Sequence, residues 1–339
     1  MRRIMVGLIF SFLLAGCQIS PRRGTISGGG GGGGGTGGQL YVSTANSILH
    51  FNQAETSNGN IAPVGTISGA GTQLSAPQHL FLDGPNDRLY VPNQGGSSIL
   101  VFDSASTANG NVTPTRVIGG AATQLVAPID VALDPTNNLL YVADGTSILV
   151  FSAASTVNGN TPPVRNINMG VSIGGLFLDA PNNQLYVSDP GDNAVDRLDG
   201  ASAQDVVGVV GGAIAGANTG LSQPRGLALD GSGRLLVSNS ASPASIVVFT
   251  AAGSATGNIA PSVTISGSST LLRAPGQIAL NRNVGNGELY VLDPLAASVF
   301  VFTNAPTTGG NVAPARTIAG SNTGITASAV NGLAIDPTR

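Results

Sequence analysis

The chain has 339 residues, of which 49 are glycine and 20 proline, with no Lys and a formal charge of −3 at neutral pH. Abundant turn formers and scarce charged helix formers exclude a helical bundle, and the mild acidity without basic runs excludes a footprint for nucleic-acid phosphates. A single cysteine, Cys17, excludes an intrachain disulfide.

The first element is a targeting segment. Arg2 and Arg3 precede an apolar run from Ile4 to Leu14, then Leu14-Ala15-Gly16-Cys17. The run is shorter than the about 20 residues that span a bilayer. Its ending resembles a bacterial lipobox. That resemblance implies a signal peptide over 1–16, cleavage before Cys17, and acylation of the Cys17 thiol and often its amino group. Loss of Arg2 and Arg3 brings the charge to −5. Two or three acyl chains hold a protein stably at a membrane, and Gln18 in place of Asp favours the outer membrane by the same family rule. The expected location is therefore the bacterial cell envelope.

Residues 17–38 read as a tether. Gly28 to Gly35 is an unbroken glycine run, which has nothing to bury against the entropy of ordering it. Its expected span is about 25 Å. A phosphate-cradling loop would need a following helix and commonly a Lys, and neither is present.

From residue 39 to 339 one unit recurs six times. The triplets Leu40-Tyr41-Val42, Leu89-Tyr90-Val91, Leu140-Tyr141-Val142, Leu185-Tyr186-Val187, Leu235-Leu236-Val237 and Leu289-Tyr290-Val291 are spaced by 49, 51, 45, 50 and 54 residues. A period near 50 with several short strands per unit marks a β-propeller of four-stranded blades. Each unit offers a first strand such as Leu80–Asp83 or Leu333–Asp336, the triplet as second, a third such as Ser98–Phe102, and a fourth near Ile67, Ile118, Ile167, Val206–Val210, Ile265 and Ile318. The chain enters at a second strand and ends after a first. The expected fold is thus an all-β, six-bladed propeller, its seam blade closed by one C-terminal and three N-terminal strands.

Segments such as Leu125–Asp144 and Leu221–Asp230 resemble NHL repeats, and the recurring Asn-Gly-Asn-x-x-Pro element at Asn58, Asn109 and Asn158 resembles that of uncharacterised bacterial NHL-like propeller lipoproteins. The resemblance spans 39–339 and speaks for fold; propellers host binding modules and enzymes alike. The Asn-Gly pairs supply positive φ angles and the proline stops pairing, so the element reads as a turn between third and fourth strands. The five tyrosines share one repeat position, and Phe51, Phe102, Phe151, Phe249 and Phe302 share another, which reads as blade packing.

Motifs of catalysis are sparse. Gly170-Val171-Ser172-Ile173-Gly174 spells a nucleophile elbow without its strand-turn-helix setting. Asp189-Pro190-Gly191-Asp192-Asn193 gathers oxygen donors on a turn but lacks the rest of a calcium loop. Two histidines, His50 and His79, exclude a three-histidine zinc site, and no motif implies a cofactor.

Before each first strand stand His79, Asp130, Gly175, Gly226, Gln277 and Gly332, preceded by Gln78, Ile129, Gly174, Arg225, Gly276 and Asn331. In NHL-like propellers this loop opens toward the central channel, on the face commonly used for ligands. His79, Asp130, Arg225, Gln277 and Asn331 are therefore the candidate ligand-binding residues, taken as surface positions, with His79 and Asp130 able to pair. The expected function is a lipid-anchored binding or scaffolding module for a protein or small-molecule ligand. Two alternatives stand beside it: a metal-assisted hydrolase or lactonase using Asp130, Asn331 and His79, and a largely structural envelope protein.

Overall fold

The computed structural model describes residues 37–203 and 211–339. The expected signal segment, Cys17, the expected tether as far as residue 36, and Val206–Val210 lie outside them.

Among the described residues twenty-four strands form six antiparallel four-stranded sheets, the blades of a propeller. Blade 1 combines the first strand Leu333–Asp336 with Gln39–Ser43, Ser47–Asn52 and Gly65–Ser68. Blades 2 to 6 follow within residues 81–119, 128–168, 175–215, 224–266 and 278–319. The seam is in register: Val42 pairs with Leu333, and Gln39 with Asp336. Six apolar clusters hold the ring, and each lies between two neighbouring blades; Leu40 and Val42 of blade 1, for example, pack on Tyr290 and Val301 of blade 6. Burial of each such side chain contributes about 1.5–3 kcal/mol, so the blades depend on one another.

The fourth blade corrects one expectation. Its outer strand is Gly212–Ala215, paired with Ala194–Asp199, rather than Val206–Val210. Ile214 occupies the isoleucine position of Ile67, Ile118, Ile167, Ile265 and Ile318, each facing the same place on its third strand. The Val206–Val210 run is the more apolar stretch, but register follows the single buried isoleucine. The short 45-residue spacing also has a place. After five of the fourth strands a 3-10 turn follows, as at Ala70–Thr72 and Ala121–Thr123; after Arg165–Asn168 the chain passes to Gly175 without one.

The tyrosines are fully buried and each meets a nitrogen-bearing side chain on another strand of its blade. Arg116, Arg165 and Arg316 on fourth strands lie over Tyr90, Tyr141 and Tyr290, 5.6–6.0 Å from the ring centroids. In blade 1 the arginine position is Gly65, and His50 of the third strand stacks on Tyr41 at 4.6 Å. In blade 4 the position is Gly212, and Arg197 of the third strand pairs with Tyr186. Blade 5 has Leu236 in place of tyrosine, opposed by Val248 and then Val263.

The Asn-Gly-Asn turns reach out of their own blades. Asn109 Oδ1 accepts the Thr66 N–H and Asn111 Oδ1 the Gly71 N–H of blade 1. Asn158 and Asn160 do the same to Val117 of blade 2 and Ala122 just after it, and Asn58 and Asn60 to Thr317 of blade 6 and Asn322 just after it. Between each asparagine pair the glycine, with φ from 71° to 79°, forms a parallel bridge to the neighbour's isoleucine. The fit explains Gly120, whose φ is +117°: a Cβ there would sit 2.6 Å from Asn160 Oδ1.

Candidate functional site at the channel mouth

The first strands surround the central channel, and residues at or just before their starts make its neck. Three of the six are glycines because the neighbouring blade's backbone comes too close for a side chain. A Cβ at Gly332 would lie 2.1 Å from the Gln78 carbonyl oxygen, at Gly226 2.5 Å from that of Gly276, and at Gly175 2.7 Å from that of Arg225.

The other three fill the space. Gln277 reaches across to two blades: its Oε1 accepts the N–H groups of Leu80 (3.0 Å) and Leu333 (2.6 Å), and its Nε2 donates to the Leu80 carbonyl (2.9 Å). Those groups sit at the innermost edges of their sheets, where no further strand pairs. Asp130 Oδ2 lies 3.1 Å from His79 Nδ1 and accepts the Leu176 N–H at 2.8 Å, while Oδ1 accepts the Val131 N–H. The pairing read from the sequence is thus present, but the surface setting is not: His79 is 9% and Asp130 4% exposed. They sink into the neck because its inner-strand N–H groups need an acceptor and the facing glycines leave room for one.

Gln277, Asp130 and His79 separate two cavities. On the side of the first-strand ends is an apolar channel of about 360 Å³, lined by Leu82, Leu133, Leu178, Leu280 and Ile335, with Asp130 and Gln277 at one end and Arg282 among its lining. On the other side is a vestibule of about 470 Å³ bounded by His79, Gln78, Gln223, Arg225, Ser240, Ser328, Asn331, Pro275, Pro294 and Leu295. Asn331 ties the rim together by donating from Nδ2 to the Pro77 carbonyl at 3.3 Å. Arg225 is exposed, and among the described residues its guanidinium has no partner, while its carbonyl is fixed by Ser188 Oγ at 2.6 Å. His79, Arg225 and Asn331 therefore meet in the vestibule, whereas Asp130 and Gln277 form the plug beneath it.

Gln223, Ser240, Ser328 and Leu295 escaped the sequence reading. They come from loops that differ between repeats, and only Gln223 and Ser328 carry a shared mark, left-handed φ angles of 47° and 57°, invisible without coordinates.

The two chemical motifs resolve into turns. Asp189 Oδ1 accepts the N–H groups of Gly191 and Asp192. Gly174 donates its N–H to the Ser188 carbonyl, so the Gly170–Gly174 segment leads into a first strand. Among the described residues no three of His, Cys, Asp and Glu gather where they could hold a metal ion. Among the same residues the His79–Asp130 dyad has no hydroxyl bonded to it; Ser43, Ser188 and Ser238 hold backbone carbonyls of the next blade.

Fold and neck together define a six-bladed β-propeller with a plugged channel. No family model and no curated protein matches the chain. Among solved structures it is similar to a chain of a nidogen/laminin complex, with 15% identity over 88% of this chain and 97% of that one and a TM-score of 0.58. It is also similar to a protein of unknown function from Desulfotomaculum acetoxidans, with 15% identity over 81% and 78% and a TM-score of 0.53. At these identities the likeness is one of fold.

Proposed function

We propose that the protein is a binding or scaffolding module of the bacterial cell envelope, an NHL-like propeller lipoprotein held by acylated Cys17, that captures its ligand in the vestibule. The observation that carries this reading is Arg225, an exposed and unpartnered guanidinium, among the described residues, on a rim whose other polar side chains are amides, hydroxyls and His79. A fixed polar rim over a closed floor suits recognition. The solved nidogen/laminin complex supports it as an instance of this fold within a protein assembly.

The point where the chain enters the propeller is consistent with such a role. Gln39 pairs with Asp336 at the far end of the first strands, whereas the vestibule loops precede those strands. On this reading the vestibule is clear of the point where Gln39 enters the propeller.

Two experiments test the reading. Cys17→Ser should abolish lipid labelling and release or misprocess the protein; unchanged fractionation and labelling would sink the anchor. Cross-linking of full-length protein in intact cells should recover a partner that Arg225→Glu loses, and equal recovery by both would move the site elsewhere.

The hydrolase alternative rests on the His79–Asp130 contact. Stoichiometric metal in the purified protein, lost on His79→Ala, would favour it.

A further inference from the structure

The vestibule's composition restricts what it can hold, granted that it is the binding site. Among the described residues no carboxylate lines it. Asp130 in the neck is engaged by His79 and two backbone N–H groups. Arg225 therefore gives the cavity an uncompensated positive charge, which an anion would neutralise. One guanidinium matches one carboxylate in a bidentate pair, whereas phosphate sites commonly gather several cations or a nest of N–H groups.

The rest of the wall narrows the choice. Leu295 is 52% exposed and stands with Pro275 and Pro294 along the same cavity, so the anion carries an apolar group beside it. No Phe or Tyr is among the described residues that line the vestibule, which removes the usual platform for a sugar acid. Among the described residues the Gln223 amide has no partner, and Gln78 and Asn331, whose nitrogens donate to Ala76, Gln94 and Pro77, keep their amide oxygens as acceptors; donors and acceptors together complement a peptide backbone. Beneath them the bonds of Gln277 to Leu80 and Leu333 close the floor. A closed floor accepts the end of a chain and stops a strand from threading through.

We infer that the vestibule captures the C-terminal carboxylate of a protein or peptide whose last residue is apolar, with Arg225 on the carboxylate and Leu295 against the side chain. Capture of a free carboxyl terminus is a recurring mode of peptide recognition.

The test uses two small probes on the soluble full chain carrying Cys17→Ser, followed by NMR of the arginine side-chain Nε–H signals. N-acetyl-leucine should shift the Arg225 signal saturably at millimolar concentrations, and N-acetyl-leucinamide, which lacks the charge, should not. Arg225→Gln should weaken binding of N-acetyl-leucine, followed through backbone amide shifts, by about tenfold or more. Equal shifts with both probes, no saturable shift with either, or full binding by Arg225→Gln would overturn the inference. A partner captured in cells in an Arg225-dependent way, with N-acetyl-leucine ignored, would overturn the carboxylate terminus and leave the binding module standing.

Discussion

At the scale of single residues, the same side chain does different work according to its neighbours. Arg116 donates to the carbonyls of Ala154 (2.8 Å) and Val157 (3.2 Å) in blade 3 and to Tyr90 Oη while lying over that ring. Arg116→Ala removes a cation–π contact and leaves the Val157 carbonyl without its donor, while the Ala154 carbonyl keeps that of Tyr90 Oη; the change should cost about 2 kcal/mol. Arg225→Ala removes no partner among the described residues and should stay within about 0.5 kcal/mol. Urea titration of both checks the contrast, and equal losses would contradict it. Asp130→Ala belongs with Arg116, since it strands the Leu176 and Val131 N–H groups; about 1–3 kcal/mol is expected in the same measurement.

Asp196 offers a residue-scale prediction with a sign. It stands where the other third strands have Leu49, Leu100, Leu149, Val247 and Phe300. Burial, and then Asp189 and Asp192, push its carboxyl up to about 6. A raised carboxyl favours the protonated form in the fold. Its stabilising contribution is complete below the unfolded value near 4 and is lost as pH rises through about 6. Asp196→Leu should therefore stabilise the protein at pH 7, by about 1 kcal/mol because the group is partly solvated, and have little effect at pH 4. Melting curves of parent and variant at the two pH values should converge on acidification. A constant gap would contradict the titration.

At the scale of elements, the asparagine turns act as clasps between blades. Asn111→Ala should cost about 1 kcal/mol, the net worth of one hydrogen bond. Thermal melting reads the loss beside Val64→Ala, a control that trims an exposed side chain and breaks no side-chain hydrogen bond. Asn111→Ala and Asn311→Ala together should add, since their partners Gly71 and Ser269 lie in different blades. Marked non-additivity would mean that the clasps communicate around the ring.

This level also shows how far the sequence could be read. Asn-Gly-Asn declared a turn, because positive φ is a local property, but its partner on the next blade is not. The tyrosine column likewise announced packing, while the arginines facing it come from the third strand in blade 4 and the fourth in blades 2, 3 and 6, so no single repeat position marks them. The pairing of His79 with Asp130 was legible from their equivalent places in adjacent repeats. Their depth was not, because it depends on glycine contacts between neighbouring blades. Gly212–Ala215 was missed because one isoleucine among small residues outweighs five residues of greater hydropathy once the neighbouring strand sets the register.

At the scale of the whole molecule, the seam makes the ring. Deleting 331–339 strips the innermost strand from blade 1, uncovers Leu40 and Val42, and removes Leu333 from the clusters they share with blade 6. It also takes away one acceptor pairing of Gln277. The melting midpoint should fall far more than on deletion of Gly28–Gly35, and equal midpoints would contradict the seam.

The pairing of Val42 with Leu333 has a consequence for biogenesis. The strands that open blade 1 are among the first of the propeller to leave the ribosome, and their inner neighbour is among the last. At about 5–20 residues per second, translation separates the two by tens of seconds. During that interval the Gln39–Ser43 strand has a bare edge, of the kind that recruits foreign strands. The blade begun earliest is thus finished last, and the nascent chain is most exposed to mispairing at the very place where the mature ring is sealed.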